Sequence, residues 1–344
     1  MASIDDPTTW QQFGELDEEF SLMMAAKVPR KFPPVDLSNL SSIRHAWSET
    51  CTYEMETALR EHENEVTANQ IYIPLDHNRS LRALVFKPKK LPVTGSPLVV
   101  LIHGGGFLFG VAEMEASTCV HVTRKLGCIS ISLDYPLAPE AKFPMAYEDV
   151  WAGLQWIAGN AADLCADVSK GFILGGTSSG GQLAATLSLW ARDRGLKANL
   201  TGIYLNATSI VDPGAVPEEY KRMYFGNEEV ERIRQVGLSS KTVAMFHEAV
   251  QPDTSSEVWS PLLWRNGHRN LPPTYFQVCG ADIQRNDSLV YERVLRLENG
   301  IETKADIYPG LPHVFWYMYP AHSACVKFHE DTVNGIAWLL CRHT

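Results

Sequence analysis

Two serines stand among four glycines in Gly175-Gly-Thr-Ser-Ser-Gly-Gly181, between the apolar run "GFIL" and the helix-like run "QLAATLSLWARD". Glycine relieves crowding at left-handed backbone positions, so the stretch suits a tight turn. Gly176-Thr-Ser178-Ser-Gly180 also fits G-x-S-x-G, the pattern of a nucleophile held at a strained strand-to-helix elbow. A serine hydroxyl is a weak nucleophile near neutral pH and needs a base to take its proton. His313, in "YPGLPHVFW", can be that base. Asp282, in "GADIQRND", can hold the imidazole tautomer and stabilise the imidazolium that forms. The oxyanion of a tetrahedral intermediate needs preorganised N–H donors. The run His103-Gly104-Gly105-Gly106 offers backbone amides with no side chain in the way, and the amide after the nucleophile, Ser179, completes such a hole.

Taken one at a time, these residues have plainer readings. An aspartate after a strand commonly caps a helix, a histidine in a loop commonly packs there, and G-x-S-x-G alone is short. Three glycines after a strand also suit a phosphate cradle, but no G-x-x-x-x-G-K-[ST] or G-x-G-x-x-G accompanies them. Together the residues have the right types, at successive strand ends, in the order Ser, Asp, His used by α/β-hydrolase sheets.

The elements that must position them follow from the apolar pattern. After "NQIYIP" and "LRALVFKP" come "PLVVLIH", "CISISLDY", "GFILGG", "LTGIYLN", "TYFQVCG" and "TKADIYP". Most are apolar without alternation, as strands covered on both faces are. Helical patterns between them are expected at 117–126, 146–158, 182–193, 287–298 and 323–340. Strand–helix alternation of this kind predicts an α/β fold with a mostly parallel, doubly wound sheet. Functional groups in such sheets gather beyond the carboxyl ends of the strands, where His103, Ser178, Asp282 and His313 all fall. A long insertion separates Asn206 from Leu271, and residues 1 to about 65 hold helical segments broken by "VPRKFPPVD".

A chain of 344 residues, 45% hydrophobic, can bury a large core. Its net charge of −10 argues against nucleic-acid or anionic-membrane surfaces, and no apolar run is long enough to span a bilayer. Seven scattered cysteines without a CxxC pair, and a start without a secretory pattern, predict reduced thiols and a cytoplasmic setting. No HExxH or clustered His/Cys spacing suggests a metal, and no cofactor is expected.

The chain resembles the hormone-sensitive-lipase-like carboxylesterases of the α/β-hydrolase fold, fungal members especially. The resemblance runs from "LRALVFKP" to the C-terminus and rests on "HGGGF", "DYPLAPEAKFPMAYED", "GGTSSGG" and "GADIQRND...YPGLPHVF". It implies Ser178 as nucleophile, Asp282 as acid and His313 as base, with oxyanion donors from Gly105, Gly106 and Ser179. His103, Gly104, Gly176 and Gly180 are the supporting motif positions. It further implies a catalytic domain over 66–344 and a helical cap built from residues 1–65 and an insertion around 207–255. Two positions depart from the family pattern: Thr177 stands where an acid is frequent, and Pro136 where an arginine is frequent. The aromatic group Phe315, Trp316, Tyr317 and Tyr319 either lines the pocket or packs in the core.

The implied activity is hydrolysis of a small carboxylic ester or thioester through an acyl-enzyme. A lyase or cyclase of specialised metabolism could use the same groups. A small-molecule receptor on this fold is a third reading, but such receptors usually lack the histidine that is present here as His313. The expected partner is a small-molecule ester, and a homodimer is left open.

Overall fold

The computed structural model describes residues 2–28, 37–224, 229, 232–233 and 236–341. Eight strands form a single sheet: β1 (Val66–Pro74), β2 (Ser80–Pro88), β3 (Leu98–Ile102), β4 (Ile129–Asp134), β5 (Phe172–Thr177), β6 (Gly202–Asn206), β7 (Thr274–Ala281) and β8 (Thr303–Pro312). Their order is β1-β2-β4-β3-β5-β6-β7-β8. The β1–β2 and β2–β4 pairs are antiparallel, and every pair from β4 across to β8 is parallel.

The continuous apolar strands reflect burial on both faces. In β3, Leu98, Val100 and Ile102 join one core and Val99 and Leu101 the other, all five at 0% exposure. Period-two alternation thus sends successive side chains into two separate apolar layers. Burying each such side chain contributes about 1.5–3 kcal/mol, so a polar substitution anywhere in β3 would be felt.

Nine helices can be traced among the described residues: α1 (Glu18–Ala25), α2 (Leu40–Glu61), α3 (Ala116–Leu126), α4 (Met145–Gly159), α5 (Ser179–Trp190), α6 (Ser240–Val250), α7 (Arg285–Arg293), α8 (Phe315–Met318) and α9 (Ala324–Leu340). Side chains of α4, α5 and α7 fill the core on one face of the sheet, and those of α3 and α9 the core on the other. α3 stops at Gly127, whose φ of 67° closes a left-handed cap, with Arg124 and Lys125 in the last turn against the helix dipole. No described helix is long and apolar enough to cross a membrane.

One helix departs from the sequence expectation in a way that matters. α5 begins at Ser179, three residues before the expected start at 182, and gives way to a π-type turn after Trp190. By sequence, Gly180 and Gly181 suit a turn. They are the helix's first turn, where a side chain on Gly180 would collide with the Ile102 carbonyl of β3.

The N-terminal segment is packed, with Trp10, Phe13 and Phe20 buried. α2 is tied to the loop after β3, since Arg44 Nε donates to the Leu108 carbonyl at 2.8 Å. Of the expected cap, residues 1, 29–36, 225–228, 230–231 and 234–235 lie outside the described residues.

Candidate active site

Ser178 sits between the last residue of β5 and the first of α5, at φ 54° and ψ −118°. A non-glycine residue in this region is strained. The surroundings hold it there: its amide donates to the Asn206 carbonyl at 2.8 Å, and its carbonyl accepts from the Gln182 amide at 3.0 Å. Strain of this kind recurs at the carboxyl edge of the sheet. Phe107, Ala207 and Val314 also have positive φ, each just beyond a parallel strand. The edge is shaped where function is expected.

Asp282 and His313 arrive at the same point from β7 and β8. Ser178 Oγ lies 3.0 Å from His313 Nε2, and His313 Nδ1 lies 2.6 Å from Asp282 Oδ2. The other carboxylate oxygen, Oδ1, accepts from the Gln284 amide at 3.1 Å, which fixes the plane of the acid. Asp282 is 1% exposed, His313 8% and Ser178 7%. In such a chain the imidazole carries its proton on Nδ1 and presents Nε2 to the serine hydroxyl.

The glycine loop after β3 faces this chain. Gly104 lies against Thr177 and Ser178. Gly105 adopts φ 124°, a conformation open in practice only to glycine, and a side chain there would collide with the Phe109 backbone. Among the described residues the amides of Gly105 and Gly106 donate no backbone hydrogen bond. The Ser179 amide belongs to the first turn of α5, where helix amides have no partner within the helix and the dipole favours negative charge.

Behind the loop lies support that sequence reasoning missed. The Tyr135 ring stacks on the His103 ring, with centroids 4.2 Å apart and planes 14° apart. Its hydroxyl is 3.2 Å from Ser179 Oγ. Burial pushes the Tyr135 phenol far above its usual range, so it stays protonated. Arg82, from β2, bridges Asp134 at 2.8 Å and the buried Glu113. Tyr135 was legible only as part of "DYPLAPE"; its double contact is a tertiary fact.

These residues open into a cavity of about 490 Å³, within the usual size of small-molecule sites. Trp47 and Met55 of α2, Phe246 of α6, and Trp316, Tyr317 and Tyr319 line it. Phe315, grouped with these aromatics in the sequence, is instead packed in a core cluster with Tyr308 and Phe328. Glu115, just before α3, also lines the cavity at 6% exposure. Desolvation pushes its carboxyl up to about 7, opposed by hydrogen bonding to Thr177, attraction to His103 and hydrogen bonding to Thr118. Asp287 is likewise pushed up to about 7 by desolvation. It holds the Tyr224 and Ser209 hydroxyls at 2.8 and 3.0 Å, a structural knot next to the site.

A family model described as alpha/beta hydrolase fold matches residues 99–317. The chain belongs to this family of α/β-hydrolases. The hydrolase is 32% identical over 96% of its length to an AB hydrolase superfamily protein of Schizosaccharomyces pombe, of which it covers 96%. It is 30% identical over 71% of its length to a versiconal hemiacetal acetate esterase of Dothistroma septosporum, covering 74% of that protein. The solved structure of a vibralactone cyclase superposes with a TM-score of 0.85 at 32% identity, covering 96% of this chain and 97% of that one. The hydrolase falls in the esterase-type class, of hormone-sensitive-lipase-like kind.

Proposed function

We propose that this hydrolase cleaves carboxylic esters or thioesters of a small hydrophobic metabolite through an acyl-enzyme on Ser178. The observation that carries this reading is the continuous chain Asp282–His313–Ser178, with separations of 2.6 and 3.0 Å, opening on a cavity walled in part by aromatic side chains. His313 Nε2 takes the Ser178 proton as Oγ attacks the ester carbonyl. The oxyanion that forms is met by the amides of Gly105, Gly106 and Ser179. His313 then passes its proton to the leaving alkoxide or thiolate, and the acyl group stays on Ser178. Water, activated by the same imidazole, attacks the acyl-enzyme and releases the acid. Asp282 holds the imidazole and stabilises its charged form throughout.

Helix α2 and the segment around α6 act as the cap in this reading. They wall the cavity with Trp47, Met55 and Phe246 and exclude water from the oxyanion, which strengthens every hydrogen bond to it. The test is hydrolysis of p-nitrophenyl esters of graded acyl length. Cleavage by the wild type, and a loss approaching roughly 10⁶-fold in kcat on Ser178→Ala, is the expected result. Full activity of that variant would remove the nucleophile assignment.

The likeness to a vibralactone cyclase favours a second reading, in which a nucleophile within the substrate replaces water. The first half of the mechanism is then unchanged. Product analysis separates the two: free acid marks hydrolysis, and a cyclic product without net addition of water marks cyclisation.

A further inference from the structure

Four carboxyl side chains line the cavity: Glu54, Glu61, Glu113 and Glu115. Glu54 and Glu61 are exposed and keep their hydration. Glu113 is buried but paired with Arg82. Glu115 differs from all three. It is 6% exposed, and no ion pair is formed by it among the described residues. Removing a carboxyl from water without a cation is costly, and a packed apolar side chain would cost nothing of the kind.

Its neighbours locate what it faces. The groups acting on it are the hydroxyls of Thr177 and Thr118 and the ring of His103, and Thr177 immediately precedes Ser178. Thr177 Oγ1 also accepts from Asn206 Nδ2 at 3.3 Å, so a polar strip of the cavity wall runs beside Ser178, with Trp47, Met55, Phe109 and Trp316 among the apolar side chains of the same cavity. Pockets of this kind bind through apolar area and orient their ligand with a few placed polar groups. With its carboxyl pushed up to about 7, Glu115 can donate to a carbonyl oxygen in one state and accept from a hydroxyl in the other.

We propose that Glu115 is a specificity residue that reads a hydroxyl or carbonyl oxygen carried by the substrate a few bonds from the reacting ester. The proposal deepens the esterase reading and rests on it for the ligand class, small oxygenated esters. Thr118 and Thr177 lie beside the carboxyl, and a substrate oxygen in the cavity adds a further partner to it. An ester without that oxygen sets an apolar chain against the carboxyl and gains no hydrogen bond from it, which is what separates the two esters.

The test reads binding, so that it does not depend on turnover. Ser178→Ala protein is titrated, by quenching of its tryptophan fluorescence, with three matched pairs. These are ethyl 4-oxopentanoate against ethyl pentanoate, ethyl 3-hydroxybutanoate against ethyl butanoate, and 2-hydroxyethyl butanoate against propyl butanoate. In at least one pair the oxygenated ester should bind about tenfold more tightly than its partner. Adding Glu115→Gln, which keeps hydrogen-bonding capacity, should hold that preference within about threefold, and adding Glu115→Met should abolish it. Thr118→Val, which loosens the carboxyl without replacing it, should lower the same preference by about threefold or more. No preference in any pair, or a preference that survives both Glu115→Met and Thr118→Val, would overturn the proposal. Failure of the wild type to hydrolyse any ester would count against the esterase reading instead, because the binding ratios would still be measured.

Discussion

The hydroxyl of Tyr135 lies 3.2 Å from Ser179 Oγ while its ring stacks on His103 at 4.2 Å. One side chain therefore braces both halves of the candidate oxyanion hole, the loop after β3 and the first residue of α5. Replacing it by phenylalanine keeps the stack and removes the hydroxyl. Loss of one neutral hydrogen bond is worth about 1 kcal/mol, so Tyr135→Phe should lower kcat about fivefold and leave KM nearly unchanged. Steady-state kinetics on a short-acyl ester checks this. A rise in KM with kcat unchanged would place Tyr135 in substrate binding.

The two buried acids of the "GADIQRND" stretch should behave differently. Asp282→Asn leaves an amide where His313 Nδ1 needs a carboxylate, and kcat should fall by about 10⁴. Asp287→Asn touches Tyr224, Ser209 and the Ile210 amide, none of them in the proton path. Its effect should appear mainly in the thermal midpoint. Parallel kinetics and melting curves on the two variants decide the assignment, and a reversal would move the acid of the triad.

Stability should depend on pH through Glu115. Its carboxyl is pushed up from 4.5 to about 7 in the folded protein. Between these values the native state binds the proton more tightly than the unfolded chain. The group therefore costs nothing below the unfolded pKa, and its penalty grows as pH rises to about 7. The full penalty is about 3 kcal/mol at most. The melting temperature of Glu115→Gln minus that of the wild type should therefore become more positive from pH 5 to pH 8. A difference independent of pH would mean that the carboxyl is not desolvated as its burial implies.

The cavity wall supplied by α2 should set acyl size. Trp47 stands against Phe109 and Tyr317, with centroids 5.5 and 6.2 Å away. Trp47→Ala should raise the ratio of kcat/KM for a bulky over a short acyl ester by about tenfold, equivalent to about 1.4 kcal/mol. An unchanged ratio in folded protein would assign acyl selection to the segment around α6.

Much of this is legible in the amino-acid sequence. The central strands β3, β5, β6 and β7 are buried along their whole length and leave uninterrupted apolar runs, while the more exposed β1 and β8 show in the sequence through their β-branched and aromatic residues, so the residues just past β3, β5, β7 and β8 can be picked as chemistry. What could not be read is set by tertiary contact. Tyr135 looks like one more aromatic in a loop, and Glu115 like an ordinary charge in "GVAEMEAS", until the fold seals both against the site. Sequence places the start of α5 three residues late because glycines lower helix propensity. The close approach of Gly180 to β3 overrides that preference. In the aromatic run 315–319, Phe315 packs only in the core whereas Trp316, Tyr317 and Tyr319 also reach the cavity, a difference that spacing over five residues does not determine.

The central claim is that Ser178 is the nucleophile, and covalent capture tests it most directly. The wild-type protein is treated with a fluorophosphonate and digested, and the modified peptide is sequenced by mass spectrometry. The account predicts one adduct per chain, on the peptide containing "GGTSSGG", mapped to Ser178 and absent from Ser178→Ala. An adduct on Ser179, or labelling that persists in Ser178→Ala, would contradict it.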